Sequence, residues 1–331
     1  MKKDKFLLLG ISSFAGASMA NYLIRQKKNV FGTYRNAKIK PYLPFKYNEE
    51  KDNKVNLIKI DLLKDSKKIL RIVKKIEPEY IIDFASVCMV GESWANPKKY
   101  FDINLTAKIE LIQSLHKLER LKKYVYISTP EVFGSSEEFI KDESKLFSPN
   151  TPYAASKLSC EILLNSYIKN FNSPAVIARF SNFYGPGQPL YRLIPKIIMH
   201  IDKKIKFPLE GKGNSKRNFI YTDDFCDAIM KVCNKAKNGS IYHFSGKKFY
   251  TVLEIIKTVC KLKGYNYKNL IKFKKDRIGK DQSYKLDSTQ AKKKLSWKPK
   301  ISINEGINMI IKYQKKHYNE MKNSKTFYDI K

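Results

Sequence analysis

Tyr124 to Lys157 reads YVYISTPEVFGSSEEFIKDESKLFSPNTPYAASK. Its first four residues are aromatic or β-branched, which predicts a buried strand ending at Ser128-Thr129. A Ser/Glu/Pro-rich loop follows. Thr151-Pro152 then opens a helix, a capping hydroxyl followed by proline in the first turn. One helical turn separates Tyr153 from Lys157, so phenol and ammonium stack on one face. A neighbouring cation favours phenolate, which predicts a lowered tyrosine pKa and a proton acceptor usable near neutrality. Ser128 and Thr129, at the carboxyl end of the strand, reach for the same substrate oxygen. Glu131, two residues on, is suited to act as a base on carbon.

The spacing alone carries no information. With 21 Tyr and 57 Lys in 331 residues, about four Tyr-x-x-x-Lys matches arise by chance, and five occur, at Tyr34, Tyr42, Tyr47, Tyr153 and Tyr318. Setting singles out Tyr153: a helix start after a strand that ends in Ser-Thr, downstream of a glycine-punctuated first strand.

That first strand, Lys5 to Leu9, runs into Gly10-Ile-Ser-Ser13-Phe14-Ala-Gly16 and an amphipathic helix to about Lys28. A strand feeding a glycine turn into a helix N-terminus is a pyrophosphate site, because unpaired N–H groups and the helix dipole face the anion. Ser13 stands at the middle glycine position, small enough for the turn and able to donate to phosphate. The second strand, Asn29 to Thr33, ends in Tyr34-Arg35, where an acidic residue would select the ribose hydroxyls of NAD. Arg35 suits the 2′-phosphate of NADP; the alternative is a solvated surface charge. A third strand spans 55–60, and Asp61-Leu62 is placed to flank adenine. A fourth, from Pro78 to Phe84, leads to Ala85-Ser86, small residues over which a dinucleotide can pass.

Pro97 opens a long helix to about Glu119, with Phe101, Leu105, Ile109, Ile112 and Leu115 as its apolar stripe and Asn104 reaching toward the site backbone. Strands at 175–180 and 241–244, with helices at 151–171 and 222–235, complete an alternation that predicts a doubly wound parallel α/β sheet. Glycines, prolines and basic residues from Ser181 onward predict a cap over a phosphate-bearing substrate.

No apolar run approaches membrane-spanning length, and MKKDKFLLLG reads directly as a strand, not a leader. Five Cys without metal-ligand spacing predict reduced thiols in the cytoplasm and no metal site. The formal charge of +34 is almost all Lys, spread from end to end, which reads as solvated surface; a polyanion-binding surface is the competing reading.

Over nearly its whole length the chain resembles the extended short-chain dehydrogenase/reductase family of nucleotide-sugar epimerases and dehydratases. The resemblance rests on Gly10 to Gly16, Asp61-Leu62, Phe84-Ala85-Ser86, Ser128-Thr129 with Tyr153 and Lys157, and Arg179-Phe-Ser-Asn182-Phe-Tyr-Gly-Pro. It continues through Arg192-Leu193-Ile-Pro, Gly211-Lys-Gly with Arg217, Arg277-x-Gly-x-Asp281, and Asp287 to Pro299. It implies a Rossmann domain binding NAD or NADP (residues 1–180, with return elements at about 222–244) and a smaller interleaved nucleotide-sugar lobe (181–331). It also implies a homodimer through helices 98–119 and 151–171, for which Ile103 and Leu111 supply a second apolar face.

By the same resemblance Tyr153 takes the proton of the sugar 4-hydroxyl as C4 is oxidised, Thr129 binds that hydroxyl, and Lys157 holds the nicotinamide ribose. Asn182 touches the sugar diphosphate; Arg192 and Arg217 meet phosphate. Glu131 matches the base that removes the C5 proton in 4,6-dehydratases, whereas Pro130 cannot be the acid that helps the C6 hydroxyl leave. Ser93 or Glu92 faces the sugar, and Arg277 is the candidate cation near C6. A 4,6-dehydratase is the leading reading, followed by a 4-epimerase or C4 dehydrogenase and then a uronate decarboxylase. A silent dinucleotide sensor or RNA-binding protein stands outside that class.

Overall fold

The computed structural model describes residues 4–35, 39–47, 54–275, 283–325 and 327. Seven strands form a wholly parallel sheet: β1 (Lys5–Leu9), β2 (Asn29–Tyr34), β3 (Asn56–Lys59), β4 (Tyr80–Asp83), β5 (Lys123–Ser128), β6 (Ala175–Phe180) and β7 (Ile241–Phe244). Their order is β7-β6-β5-β4-β1-β2-β3. The order reverses between β1 and β4, the switch point at which such sheets open a crevice beyond their carboxyl ends. Side chains of β1 alternate between two cores: Phe6 and Leu8 enter one, Leu7 and Leu9 the other. A strand covered on both faces reads as an unbroken apolar run, which is why the period-2 signal is absent from Phe6-Leu-Leu-Leu9.

The helix expected over 97–119 is broken. Helical segments Pro97–Asn104 and Ile109–Ser114 are joined by a 3-10 turn at Thr106–Lys108, and a second such turn covers Leu115–Lys117. Leu105 leaves helical dihedrals (φ −124°, ψ −67°) directly after Asn104, whose amide is tied to a neighbouring loop and helix. The break turns the buried face: Leu111, Ile112 and Leu115 enter the core, whereas Ile109 is exposed. Leu111 therefore belongs to the sheet's own packing and not to a second apolar face.

The remaining elements form a smaller layer with its own core of Ile194, Ile197, Ile198, Phe207, Ile255, Ile256 and Ile307, among others. A three-stranded sheet joins Asn182–Tyr184, Lys216–Tyr221 and Phe249–Thr251. The chain crosses back to the large sheet through helix Thr222–Lys235 and β7. It returns again through helix Thr289–Leu295, where Ala291, Leu295 and Trp297 enter the large sheet's core. A short strand inside the Ser/Glu-rich loop, Phe139–Ile140, pairs with Lys285–Leu286. No helix among the described residues is long and apolar enough to cross a membrane.

Candidate active site

Where β1 ends, Gly10 takes φ +79°, and a Cβ on it would stand 3.0 Å from the Ala85 backbone. A Cβ on Gly16 would meet the Gly10 carbonyl at 2.5 Å, so helix and turn pack too closely for any side chain there. Ser13 caps the helix: its Oγ accepts from Gly16 N at 3.0 Å and donates to Gly10 O at 2.7 Å. That spends the hydroxyl proton inside the turn, so the expected donation from Ser13 Oγ to phosphate is corrected. Ser12, Ser13, Phe14 and Ala15 open onto a cavity of about 640 Å³, a size typical of cofactor and small-ligand sites.

The same cavity is lined by Phe84, Ser86, Ser128, Thr129, Glu131, Tyr153, Lys157, Asn182, Arg192, Leu193 and Arg217. Candidates separated by more than 200 residues thus converge. Thr151 Oγ1 accepts from Ala154 N at 3.2 Å and starts the helix Pro152–Phe171 that carries Tyr153 and Lys157. Thr129, at the end of β5, hydrogen-bonds the Tyr153 hydroxyl. Tyr153 also sets its ring edge-on to Tyr100, centroids 6.3 Å apart.

The expected lowering of the Tyr153 pKa is not what this arrangement produces. Burial holds the phenol well above its usual range, and the Glu131 carboxylate adds to this; the Thr129 hydrogen bond and Arg192 pull the other way. The Lys157 ammonium is engaged elsewhere: it donates to Ile127 O at 2.8 Å and Ser86 Oγ at 3.1 Å, and lies 4.2 Å from the centre of the Tyr126 ring. Burial, with the nearby Lys108 cation, pushes Lys157 down to about 7.

Several candidates lie outside the cavity lining. Asn104 accepts from Val87 N at 2.9 Å and donates to Val87 O and Ser156 Oγ, pinning the 85–90 loop to the helix that bears Tyr153. Asp61 accepts from Leu63 N and Lys64 N in a local turn; Leu62 flanks it, and neither lines the cavity. Ala85 N donates to Asp83 Oδ1, and Arg35 is exposed just past β2. Ser93 is corrected: it is fully buried, its hydroxyl donates to Val90 O at 2.6 Å, and neither it nor Glu92 lines the cavity. Arg277 lies outside the described residues.

The sequence reading missed three features. Tyr284 donates to Asn182 Oδ1 at 3.2 Å and stacks under Arg217, whose guanidinium carbon is 5.0 Å from the ring centre. Cys88 accepts from Arg192 at 2.9 Å. Asp83 and Lys108 form a buried ion pair at 2.7 Å. Only the last had a signal, a lysine four residues after Asn104 on the buried face of a helix.

A dinucleotide fits these residues. Glycines admit a close approach at the first turn, and Ser128 Oγ, 6% exposed and on the cavity wall, has no hydrogen-bond partner among the described residues. Hydroxyls, a carboxylate and two guanidinium groups line one cavity, and Arg192 is near enough to Tyr153 to favour its phenolate: proton transfer beside anion binding. Among the described residues no cluster of His, Cys, Asp and Glu could hold a metal ion.

A family profile described as GDP-mannose 4,6 dehydratase matches residues 7–310. A dTDP-D-glucose 4,6-dehydratase of Bos taurus is 32% identical over 262 residues, covering 78% of this chain and 73% of its own length. Among solved structures, a dTDP-glucose 4,6-dehydratase of Bacillus anthracis in complex with NAD has a TM-score of 0.86 at 24% identity, covering 96% of this chain and 99% of that one. A UDP-glucuronic acid 4-epimerase variant of Bacillus cereus, bound to a fluorinated UDP-glucuronic acid and NAD, has a TM-score of 0.85 at 25% identity, covering 95% and 100%.

Proposed function

The chain belongs to the GDP-mannose 4,6 dehydratase family, and from that premise we propose that it removes water across C5 and C6 of a nucleoside-diphosphate hexose, using NAD(P). The observation that carries this reading is Glu131, a carboxylate lining the same cavity as the Thr129–Tyr153 hydroxyl pair. A bound NAD(P) supplies reversible hydride acceptance. Tyr153 accepts the proton of the sugar 4-hydroxyl, assisted by Thr129 and Arg192, which both favour the phenolate. Oxidation at C4 acidifies the C5 proton, and Glu131 removes it. Arg192 and Arg217 hold the diphosphate, with Asn182 and Leu193 beside it. Gly10, Phe14, Gly16, Phe84, Ala85, Ser86, Ser128 and Lys157 hold the cofactor, with Ser13 bracing the turn.

Deuterium incorporation tests this. Purified enzyme in deuterated water, given dTDP-glucose, UDP-glucose or GDP-mannose, is expected to lose water and carry deuterium at C5 with one of them. Glu131→Gln is expected to stop both while reduced cofactor accumulates. Turnover without deuterium at C5 would refute the role of Glu131. One observation favours a second reading: Pro130 lines the cavity beside Glu131 and has no proton to give a leaving hydroxyl. In a 4-epimerase that acid is not needed, and the product then has unchanged mass.

Arg35, exposed past β2, supports a preference for NADP. Residues 1–180 with the return at 222–244 are the cofactor half, and 181–331 the sugar-nucleotide half. A homodimer through the helices at 97–114 and 152–171 is supported by exposed Ile109, Ile162 and Phe171, and light scattering at micromolar concentration tests it. Five free cysteines suit the reducing cytoplasm.

A further inference from the structure

Beneath the cavity, at the carboxyl end of β4, Asp83 is 0% exposed and Lys108 1%. Asp83 Oδ2 takes the Lys108 ammonium at 2.7 Å and the Tyr124 hydroxyl at 2.6 Å, while Oδ1 accepts from Ala85 N. The carboxylate is thereby satisfied. Lys108 Nζ also reaches Ser86 Oγ at 3.4 Å, and Lys157 Nζ meets the same oxygen at 3.1 Å. Both cations face the Tyr126 ring, at 5.1 and 4.2 Å from its centre. Two ammonium groups thus meet at one hydroxyl, and one of them is paired with a buried carboxylate.

Stability does not explain this. A buried Lys–Asp pair carries a desolvation cost that its attraction roughly cancels, and well-packed apolar residues of similar volume often do as well or better. Its position is more informative, since the pair touches Lys157 through a single shared atom. We propose that Lys108, with Asp83 as its counter-ion, is a positioning residue that acts on Lys157 through the Ser86 hydroxyl. The inference rests on the reading of Lys157 given above.

Two consequences follow from the geometry. Ser86 Oγ accepts from both ammonium groups, so its own proton is left for an acceptor in the cavity it lines. Lys157 also holds its proton against the field of Lys108, with Asp83 opposing. Of the other groups around Lys157, Cys160 and Glu161 reinforce Asp83 with smaller upward pulls. Tyr126 is a buried phenol held well above its usual range. Cys160 is a buried thiol whose pKa is likewise raised, Glu161 is bound to Arg179, and Tyr153 is the protonated phenol already described. Burial and Lys108 together bring Lys157 to about 7, which puts its charge change near neutral pH.

The test is a pH titration of the full-length protein labelled with [ε-13C]lysine, the Lys157 resonance being assigned by its loss in Lys157→Arg. Turnover of dTDP-glucose is recorded in parallel over the same pH range. Lys108→Met is expected to raise the Lys157 midpoint by about 1–2 pH units, the scale for unit charges ~6 Å apart at an effective dielectric near 20. Asp83→Asn is expected to lower it, and Lys108→Arg to keep it. The alkaline limb of turnover should move with the midpoint. A midpoint unmoved in both variants, or moved the same way, overturns the proposal. Should a single variant fail to fold, Asp83→Asn/Lys108→Met removes both charges. Because Lys108 outweighs Asp83 at Lys157, an upward shift supports the proposal and no shift overturns it. Undiminished turnover in Lys157→Met overturns the catalytic reading instead, and the resonance titration still judges Lys108.

Discussion

Replacing Glu161 with Ala leaves a guanidinium in the protein interior without its counter-ion. Arg179, on β6, is 0% exposed and Glu161 1%. Nε reaches Oε1 at 3.1 Å and Oε2 at 3.2 Å, and the NH2 group reaches Oε2 at 2.5 Å. Phe133 and Phe147 close over the cation, with ring centres 4.8 and 5.4 Å from its central carbon. Arg179 also donates to His243 Nε2 at 3.0 Å. An arginine can only donate and the Ile140 carbonyl can only accept, so His243 is neutral with its proton on Nδ1, 3.0 Å from Ile140 O. Burial and the Arg179 charge push the His243 pKa down to about 3, so the imidazole stays neutral and adds no second cation beside Arg179. Removing one partner of such a pair costs about 3–5 kcal/mol, mostly for the charge left behind. Arg179→Met/Glu161→Leu strands no charge and is expected to be the milder change. Urea denaturation at pH 7, followed by fluorescence of the buried Trp297, measures both. A Glu161→Ala loss below about 1 kcal/mol, or a double variant as damaged as the single one, would refute the reasoning.

Tyr153→Phe keeps the ring against Tyr100 and is expected to lower turnover by about 10²–10⁴ with the thermal midpoint nearly unchanged; activity within a few-fold of wild type would remove Tyr153 from the mechanism. Arg35→Ala is expected to weaken NADP binding by about ten- to a hundredfold and to leave NAD binding unchanged, as read by titration calorimetry. Asp142 has its carboxyl pushed up to about 7, chiefly by burial, so the folded protein binds this proton more tightly than the unfolded chain. Its contribution to stability therefore falls as pH rises from about 4 to 7. Asp142→Asn, which keeps an acceptor for the His243 backbone N–H, is expected to gain on wild type in urea midpoint across that window, and equal pH slopes would contradict this.

The parts legible in the sequence were those set by local chemistry. Burial on both faces makes Phe6-Leu-Leu-Leu9 a continuous apolar run, the Gly10–Gly16 turn has no room for side chains, and the Thr151 cap lies three residues from the N–H it satisfies. Long-range partners decided the rest. Ser93 has a cavity-facing sequence context, yet its hydroxyl closes a turn on Val90 O. The helix from Pro97 keeps its period on paper but breaks after Asn104, because that amide is held by Val87 and Ser156, 17 and 52 residues away. Asp83 and Lys108, 25 positions apart in the chain, explain each other only once β4 and the 106–108 turn are neighbours.

The Tyr153–Lys157 pair shows most clearly where sequence spacing stops being informative. Four residues on a helix fix where two Cβ atoms stand, and nothing more. The lysine stem is long enough that its charged end is decided by the next element, and here β5 decides it. The Ile127 carbonyl takes the ammonium at 2.8 Å, and the Tyr126 ring lies 4.2 Å beneath it. The phenol is left to burial and Glu131, which raise its pKa, and to Thr129 and Arg192, which lower it. Helical periodicity thus places both residues on one face and leaves the electrostatics between them to the rest of the fold. The charge on Lys157 answers first to burial and to Lys108 in the turn at 106–108, then to Asp83 on β4, and only after these to Cys160 and Glu161 on its own helix.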